Sequence, residues 1–392
     1  MKLIGHEESM LSGAEGKAAR KCMQILTALG EIFGAEKMIP VETVQISGVS
    51  YDNLGDAGLE FLRELAADGR AKVPTTLNPA GMDTEDWRAL GIPEDFARKQ
   101  TEVIAAFTKM GVDATCSCTP YLIGNLPKPG AHIAWGESSA VTFANSVLGA
   151  RTNKEGGPSS VAASLTGCTP AYGLHLDEHR RPKVRVMLET DLETKLEFGA
   201  FGKALGEALD GRIPLIEGIS TRRWDLLKAL CAAFATYGGA PIFHIAGGTS
   251  EQWSPPADAI SIGRDEIVRA ARALDDGADR VDFVFLGCPH LSLDELREIA
   301  ELLRGKTVTK ELWLGVARRI KEQADAAGIT EILVAAGAKM ACDTCHVVAP
   351  LRGRFDTFAT NSAKGIYYGR SKNRFKSVFR TTEECIRLAT EK

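Results

Sequence analysis

Strand-like and helical stretches alternate along the whole chain, and that alternation confines it to an α/β architecture. Apolar spacing predicts helices over Gly13–Gly34, Asp56–Leu65, Pro93–Met110, Trp224–Tyr237, Asp265–Leu274 and Leu293–Leu303, with shorter ones at Ser138–Leu148 and Ser159–Leu165. Strands are predicted at Val41–Ile46, Ala71–Leu77, Val112–Cys116, Val184–Leu188, Ile213–Ile216, Pro241–Ile245, Val281–Leu286 and Glu331–Ala335. A chain of 392 residues has room for two or three domains. The charged stretch Asp177–Lys183 and the turn Gly238–Gly239 suggest α/β units over 1–180, 181–240 and 241–392.

The net charge of −4 supplies no field that would draw in nucleic acid or anionic lipid. No apolar run reaches the ~18 residues of a spanning helix, and residues 1–20 lack the apolar core of an export signal. A cytoplasmic protein is expected. Nine cysteines, an odd number, then argue against a disulfide framework and for thiols that are either buried or bound to metal.

Cys22 and Cys231 fall on apolar helix faces, and Cys385 lies in a helix capped by Thr381 and Glu384; these read as small core residues. Cys168 sits in a turn and reads the same way. The other five stand in loops after predicted strands: Cys116 and Cys118, Cys288 in the turn Gly287–His290, and Cys342 and Cys345. Ser292 and Glu295 form a capping box for the helix after Cys288. Spacing alone leaves three readings open: an iron–sulfur cluster, a Cys₄ zinc site, or thiols without metal.

The residues around these cysteines say more. Ile46-Ser-Gly-Val-Ser-Tyr-Asp-Asn-Leu-Gly-Asp-Ala-Gly58, Thr75-Thr-Leu-Asn-Pro-Ala-Gly-Met-Asp83, Cys118-Thr-Pro-Tyr-Leu-Ile-Gly-Asn125, Trp135 to Asn153 and Asp343-Thr-Cys345 resemble the aconitase X family over essentially the whole chain. The resemblance implies an aconitase-like, multi-domain α/β fold, with a cluster site at strand-end loops between domains. It implies Cys118, Cys288 and Cys345 as ligands of an iron–sulfur cluster, [4Fe-4S] or else [3Fe-4S] or [2Fe-2S], with Cys116 and Cys342 as neighbouring thiols. It further implies a hydro-lyase whose small swivelling domain is a separate subunit. The expected reaction is dehydration of (R)-mevalonate 5-phosphate to trans-anhydromevalonate 5-phosphate, with cis-3-hydroxy-L-proline as the alternative substrate. From a different class, an iron-sensing RNA-binding protein is the competing expectation, against which the weak net charge and lack of an aromatic-basic module count.

Other polar residues admit two readings each. Glu137, Ser138 and Ser139 open a predicted helix, either as caps or as a seat for a substrate carboxylate or phosphate. Ser47, Ser50, Tyr51 and Asn53 are pocket candidates or turn formers, and Arg151 and Asn153 occupy a loop similar to a substrate-facing loop of the family. Lys364 begins a basic stretch reaching Lys376 that could bind an anionic substrate, the partner, or only water. His290 and His346 adjoin proposed ligands and are either supporting donors or core residues; His132 and His244 read as structural. His346 and Glu137 are the candidate catalytic groups.

Overall fold

The computed structural model describes residues 1–248, 251–278 and 280–391. Its strands are β1 (Met38–Pro40), β2 (Val44–Ile46), β3 (Thr75–Leu77), β4 (Ala134–Trp135), β5 (Cys168–Pro170), β6 (Val184–Leu188), β7 (Pro214–Glu217), β8 (His244–Ile245), β9 (Ala259–Ile262), β10 (Phe283–Leu291), β11 (Glu311–Val316), β12 (Lys339–Cys342), β13 (Thr357–Thr360) and β14 (Lys376–Phe379). They form three parallel sheets, ordered β3-β2-β4, β8-β7-β6-β9 and β12-β11-β10-β13-β14, plus the antiparallel pair β1-β5.

Parallel sheets covered by helices bury both faces, so their strands are apolar without alternation. Phe283-Val-Phe-Leu286 of β10 is fully buried for this reason, and so are β2 and β3. One apolar core lies within the first sheet's unit and another within the third's. The largest runs through all three units, joining Trp135 and Phe143 to Phe198 and Phe201 and on to Phe285 and Phe358. The units therefore cannot separate without exposing aromatic surface.

Several elements differ from the sequence reading. The sheet that begins at Val184 continues through β8 and β9 to Ile262, so the division expected near residue 240 falls inside it. Glu331–Ala335 belongs to the helix Ile329–Ala335 rather than to a strand. A five-residue apolar run fits either period, and Gly328 in the left-handed region opens the helix here. Val112–Cys116 makes only one bridge, Asp113 to Thr76. The helix expected over Gly13–Gly34 runs over Lys17–Ile32, and a separate helix, Gly5–Ser12, precedes it.

Cys288 lies not beyond β10 but inside it, where the register against β11 shifts between Leu286 and Leu291. Gly287, at φ 124°, makes that irregularity possible. A Cβ there would stand 2.4 Å from the Gly315 carbonyl oxygen of β11. Only glycine permits both the backbone angle and the close approach.

Candidate active site

The capping box after Cys288 forms as the sequence suggests: the Ser292 hydroxyl accepts from Glu295 N at 3.3 Å, and the Glu295 carboxylate accepts from Ser292 N at 2.9 Å. This fixes where the helix Leu293–Leu303 starts, and with it the segment carrying Cys288. His290 then ties all three thiol loops together. Its backbone N–H donates to the Cys118 sulfur at 3.2 Å, and its Nε2 donates to the Thr344 carbonyl at 2.9 Å. Its Nδ1 lies 3.2 Å from the Ser117 hydroxyl, which must donate, because Nε2 carries the proton.

Cys118, Cys288 and Cys345 lie within electrostatic reach of one another. The charges of Cys288 and Cys345 both act on Cys118, and that of Cys288 on Cys345. Burial raises all three thiols, Cys345 to about 12. For Cys288 the burial effect is opposed by the Lys364 charge, the Ser362 hydroxyl and, more weakly, Lys228. Cys118 and Cys345 are nearly closed off, whereas Cys288 is part-exposed and lines a cleft with Lys195, Lys228, Glu295, Asn361 and Ser362.

Cys116 and Cys342 turn to a different neighbourhood. The left-handed φ of 42° at Cys116 breaks the line between it and Cys118. Asp343 and Arg318 act on both, and Asp83 on Cys342. Arg318 Nη2 donates to Asp83 at 2.6 Å and to Asp343 at 2.7 Å, Thr84 donates to Asp343 at 2.6 Å, and Asp83 accepts the Cys342 N–H at 3.0 Å. Asp343, at φ 63°, is held in the left-handed region by these contacts, which set the course of the chain into Cys345. Arg318→Met is expected to leave two buried carboxylates without a cation and to cost about 3–5 kcal/mol. Chemical denaturation checks this; an unchanged midpoint would contradict it.

Glu137 is a carboxylate whose charge acts on Cys118, Cys288 and Cys345 alike. It caps the helix Ser138–Phe143 and accepts from Asn78 Nδ2 at 2.8 Å, from the Ser139 hydroxyl at 2.8 Å and from Lys364 Nζ. Burial alone would raise its pKa, but the Lys364 ammonium and these donors hold it below the usual carboxylate range. Lys364, conversely, is raised: burial would lower it, and Glu137 more than offsets that. Lys364 also reaches Ser138 Oγ at 3.3 Å and Ser139 Oγ at 3.4 Å. Gly136 lets Ser47 pack here, since a Cβ would lie 2.4 Å from the Ser47 hydroxyl oxygen.

Most of the other expected site residues lie apart from this group. Arg151 is 2.5 Å from Asp177 and donates to the His175 carbonyl at 3.3 Å, next to the His132–His175 contact; its guanidinium is committed there. Asn153 binds the backbone of Tyr172 and Leu174. Ser50 is buried and donates to the Val348 carbonyl at 3.0 Å, Tyr51 donates to Asp56 at 3.1 Å, and Asn53 is exposed. His346 is fully buried between Phe285 and Phe358, with Nε2 donating to the Gly365 carbonyl at 3.1 Å; a ring so enclosed does not meet a substrate in this conformation. Asn78, Arg318, Lys195 and Lys228 are polar neighbours of the thiol loops that the sequence reading passed over. Asn78 and Asp83 stand within the second quoted motif, but nothing in the spacing says which carboxylate each would meet.

The donor set suits an iron–sulfur cluster. Among the described residues no three His, Cys, Asp or Glu side chains converge as ligands of one ion. A cluster takes one thiolate per iron, so its ligands need only surround it. Backbone N–H groups of His290 on Cys118, and of Val347 and Val348 on Cys345, favour the thiolate form such ligands require.

Three parallel sheets joined by one shared apolar core define an aconitase-like α/β protein. The aconitase X first, second and third domain models match residues 1–178, 182–272 and 281–391, and the chain belongs to the aconitase X family. A crystal structure of Thermococcus kodakaraensis aconitase X in its holo form superposes with a TM-score of 0.93, at 41% identity, over 99% of this chain and 100% of that one. The chain is 44% identical to the phosphomevalonate dehydratase large subunit of Methanocaldococcus jannaschii, over 99% of this chain and 100% of that protein. It is 36% identical to the cis-3-hydroxy-L-proline dehydratase of Pseudomonas aeruginosa, over 94% of this chain but 66% of that protein.

Proposed function

We propose that this chain is the iron–sulfur-carrying large subunit of a dehydratase that removes water from mevalonate 5-phosphate. The observation that supports the reading is that Cys118, Cys288 and Cys345 lie within electrostatic reach of one another and of Glu137, to which Lys364 is bonded. Those three cysteines would hold the cluster, with Cys116 and Cys342 reserved to the Arg318 network. The bound cluster supplies a Lewis acid for the departing hydroxyl. Glu137, kept ionised by Lys364, holds a carboxylate oxygen free of a proton beside the reacting group, and Lys364, Ser138 and Ser139 orient the substrate through hydrogen bonds. Removing the proton from carbon also calls on a closing domain, taken here to be a separate small subunit, as the name of the Methanocaldococcus relative suggests. Nine cysteines outside disulfides suit a reducing cytoplasm.

The choice of substrate leans on similarity: relatives at 44%, 45%, 41% and 43% identity carry the phosphomevalonate name, while the Pseudomonas hydroxyproline enzyme stands at 36%. The test is an anaerobic assay of the chain co-purified with a small subunit, given both compounds at matched concentrations. Dehydration of mevalonate 5-phosphate, and near-inactivity of the large subunit alone, are expected. Turnover of cis-3-hydroxy-L-proline only would overturn the substrate, and no dehydration of either by a cluster-loaded complex would overturn the reaction.

A further inference from the structure

The helix Ala363–Tyr368 begins beside Cys288. Ser362, its cap, accepts the Gly365 N–H at 3.0 Å and lines the same cleft as Cys288. Lys364 in the first turn reaches Glu137, and Tyr368, four positions on, stands on the same helix face. The Lys364 ammonium lies 6.0 Å from the centre of the Tyr368 ring, and the charges of Lys364, Glu137 and Cys288 all act on the Tyr368 hydroxyl. Tyr367, one residue earlier, faces another way: it is 45% exposed, and its ring meets that of Tyr237 edge-on at 5.8 Å.

Most donors around Glu137 are already engaged. Lys364 has three N–H bonds, and they run to Glu137, Ser138 and Ser139. Asn78 and the Ser139 hydroxyl each give a hydrogen to Glu137 as well. A substrate anion arriving here has to share or displace those bonds. Tyr368 differs from them: it is half-buried, and among the described residues its hydroxyl has no hydrogen-bond partner. Burial, opposed by the Lys364 charge, raises the phenol above its usual range, so at neutral pH it keeps its proton and remains a donor. We infer that the Tyr368 hydroxyl is a further substrate-binding group, donating a hydrogen bond to an anionic oxygen of the substrate beside Lys364. Mevalonate 5-phosphate offers such an oxygen at each end, on its carboxylate and on its phosphate, and the inference rests on that substrate reading. A neutral donor also adds no charge beside the Lys364 ammonium, and edge-on packing of the ring against Tyr367 at 5.1 Å limits where the hydroxyl points.

Tyr368→Phe tests the contact, because it removes one oxygen and keeps the ring. The cluster-loaded complex is compared as wild type, Tyr368→Phe and Tyr367→Phe, matched for iron and sulfide, in steady-state kinetics with mevalonate and inorganic phosphate as inhibitors. Loss of a hydrogen bond to a charged group should raise the KM of Tyr368→Phe for mevalonate 5-phosphate roughly tenfold, while Tyr367→Phe stays at the wild-type value. Weaker inhibition by mevalonate, which keeps the carboxylate and lacks the phosphate, would put the contact at the carboxylate. Weaker inhibition by inorganic phosphate alone would put it at the phosphate. An unchanged KM in the Tyr368→Phe complex, or an equal rise in Tyr367→Phe, would overturn the contact alone. A wild-type complex that ignores mevalonate 5-phosphate would overturn the substrate reading, and the contact with it.

Discussion

Lys364→Met is expected to cut turnover of the assembled enzyme by a factor of about 10²–10⁴, the range of a lost acid–base group. Among the described residues Lys364 is the one cation bonded to Glu137, and without it the carboxylate keeps the neutral donors Asn78 and Ser139. Burial then favours the protonated acid, which cannot accept a proton from the reacting group. The same change strands a charge in a site where Glu137 is 12% exposed, so folding stability should fall by about 3–5 kcal/mol. Adding Glu137→Gln separates the two effects. The double variant has no unpaired charge and should regain much of the stability without regaining turnover. An active double variant would show that the pair is a structural staple only.

The parts of this molecule legible in the sequence are those set by local chemistry. The alternation of periods marks the α/β class, and Ser292-x-x-Glu295 marks a helix start that the structure contains. What local chemistry cannot supply is the partner of a side chain. Glu295 caps its own helix and also binds Lys195 and Lys228, which come from two other helices; as lysines in helical sequence they look like ordinary solvated charge. Arg151 stands in a loop similar to a substrate-facing loop of the family, yet Asp177, from a separate short turn, takes its guanidinium. His346 adjoins Cys345 in sequence, but its ring points into Phe285 and Phe358 rather than toward the cleft. The helix Ile329–Ala335 was misread as a strand, and β11 and β12 were passed over, because short apolar runs suit either period until neighbouring strands decide. Paired cysteines are ambiguous for the same reason. Only the turn at Cys116 and the Arg318 network reveal that Cys116 and Cys342 share one environment while Cys118 and Cys345 share another.

That division of the thiols is also where the account is most open to refutation. Three thiolates bound to one cluster would hold it jointly, so loss of any one opens an iron to solvent and thiols and destabilises the whole group. The measurement is iron and acid-labile sulfide content of anaerobically purified protein, wild type against single Cys→Ala variants. Cys118→Ala, Cys288→Ala and Cys345→Ala should each lose most of both elements. Cys116→Ala, Cys342→Ala and the core variant Cys231→Ala should keep them, since those sulfurs face the Arg318 network or the apolar core. Full iron and sulfide in Cys288→Ala protein would contradict the assignment.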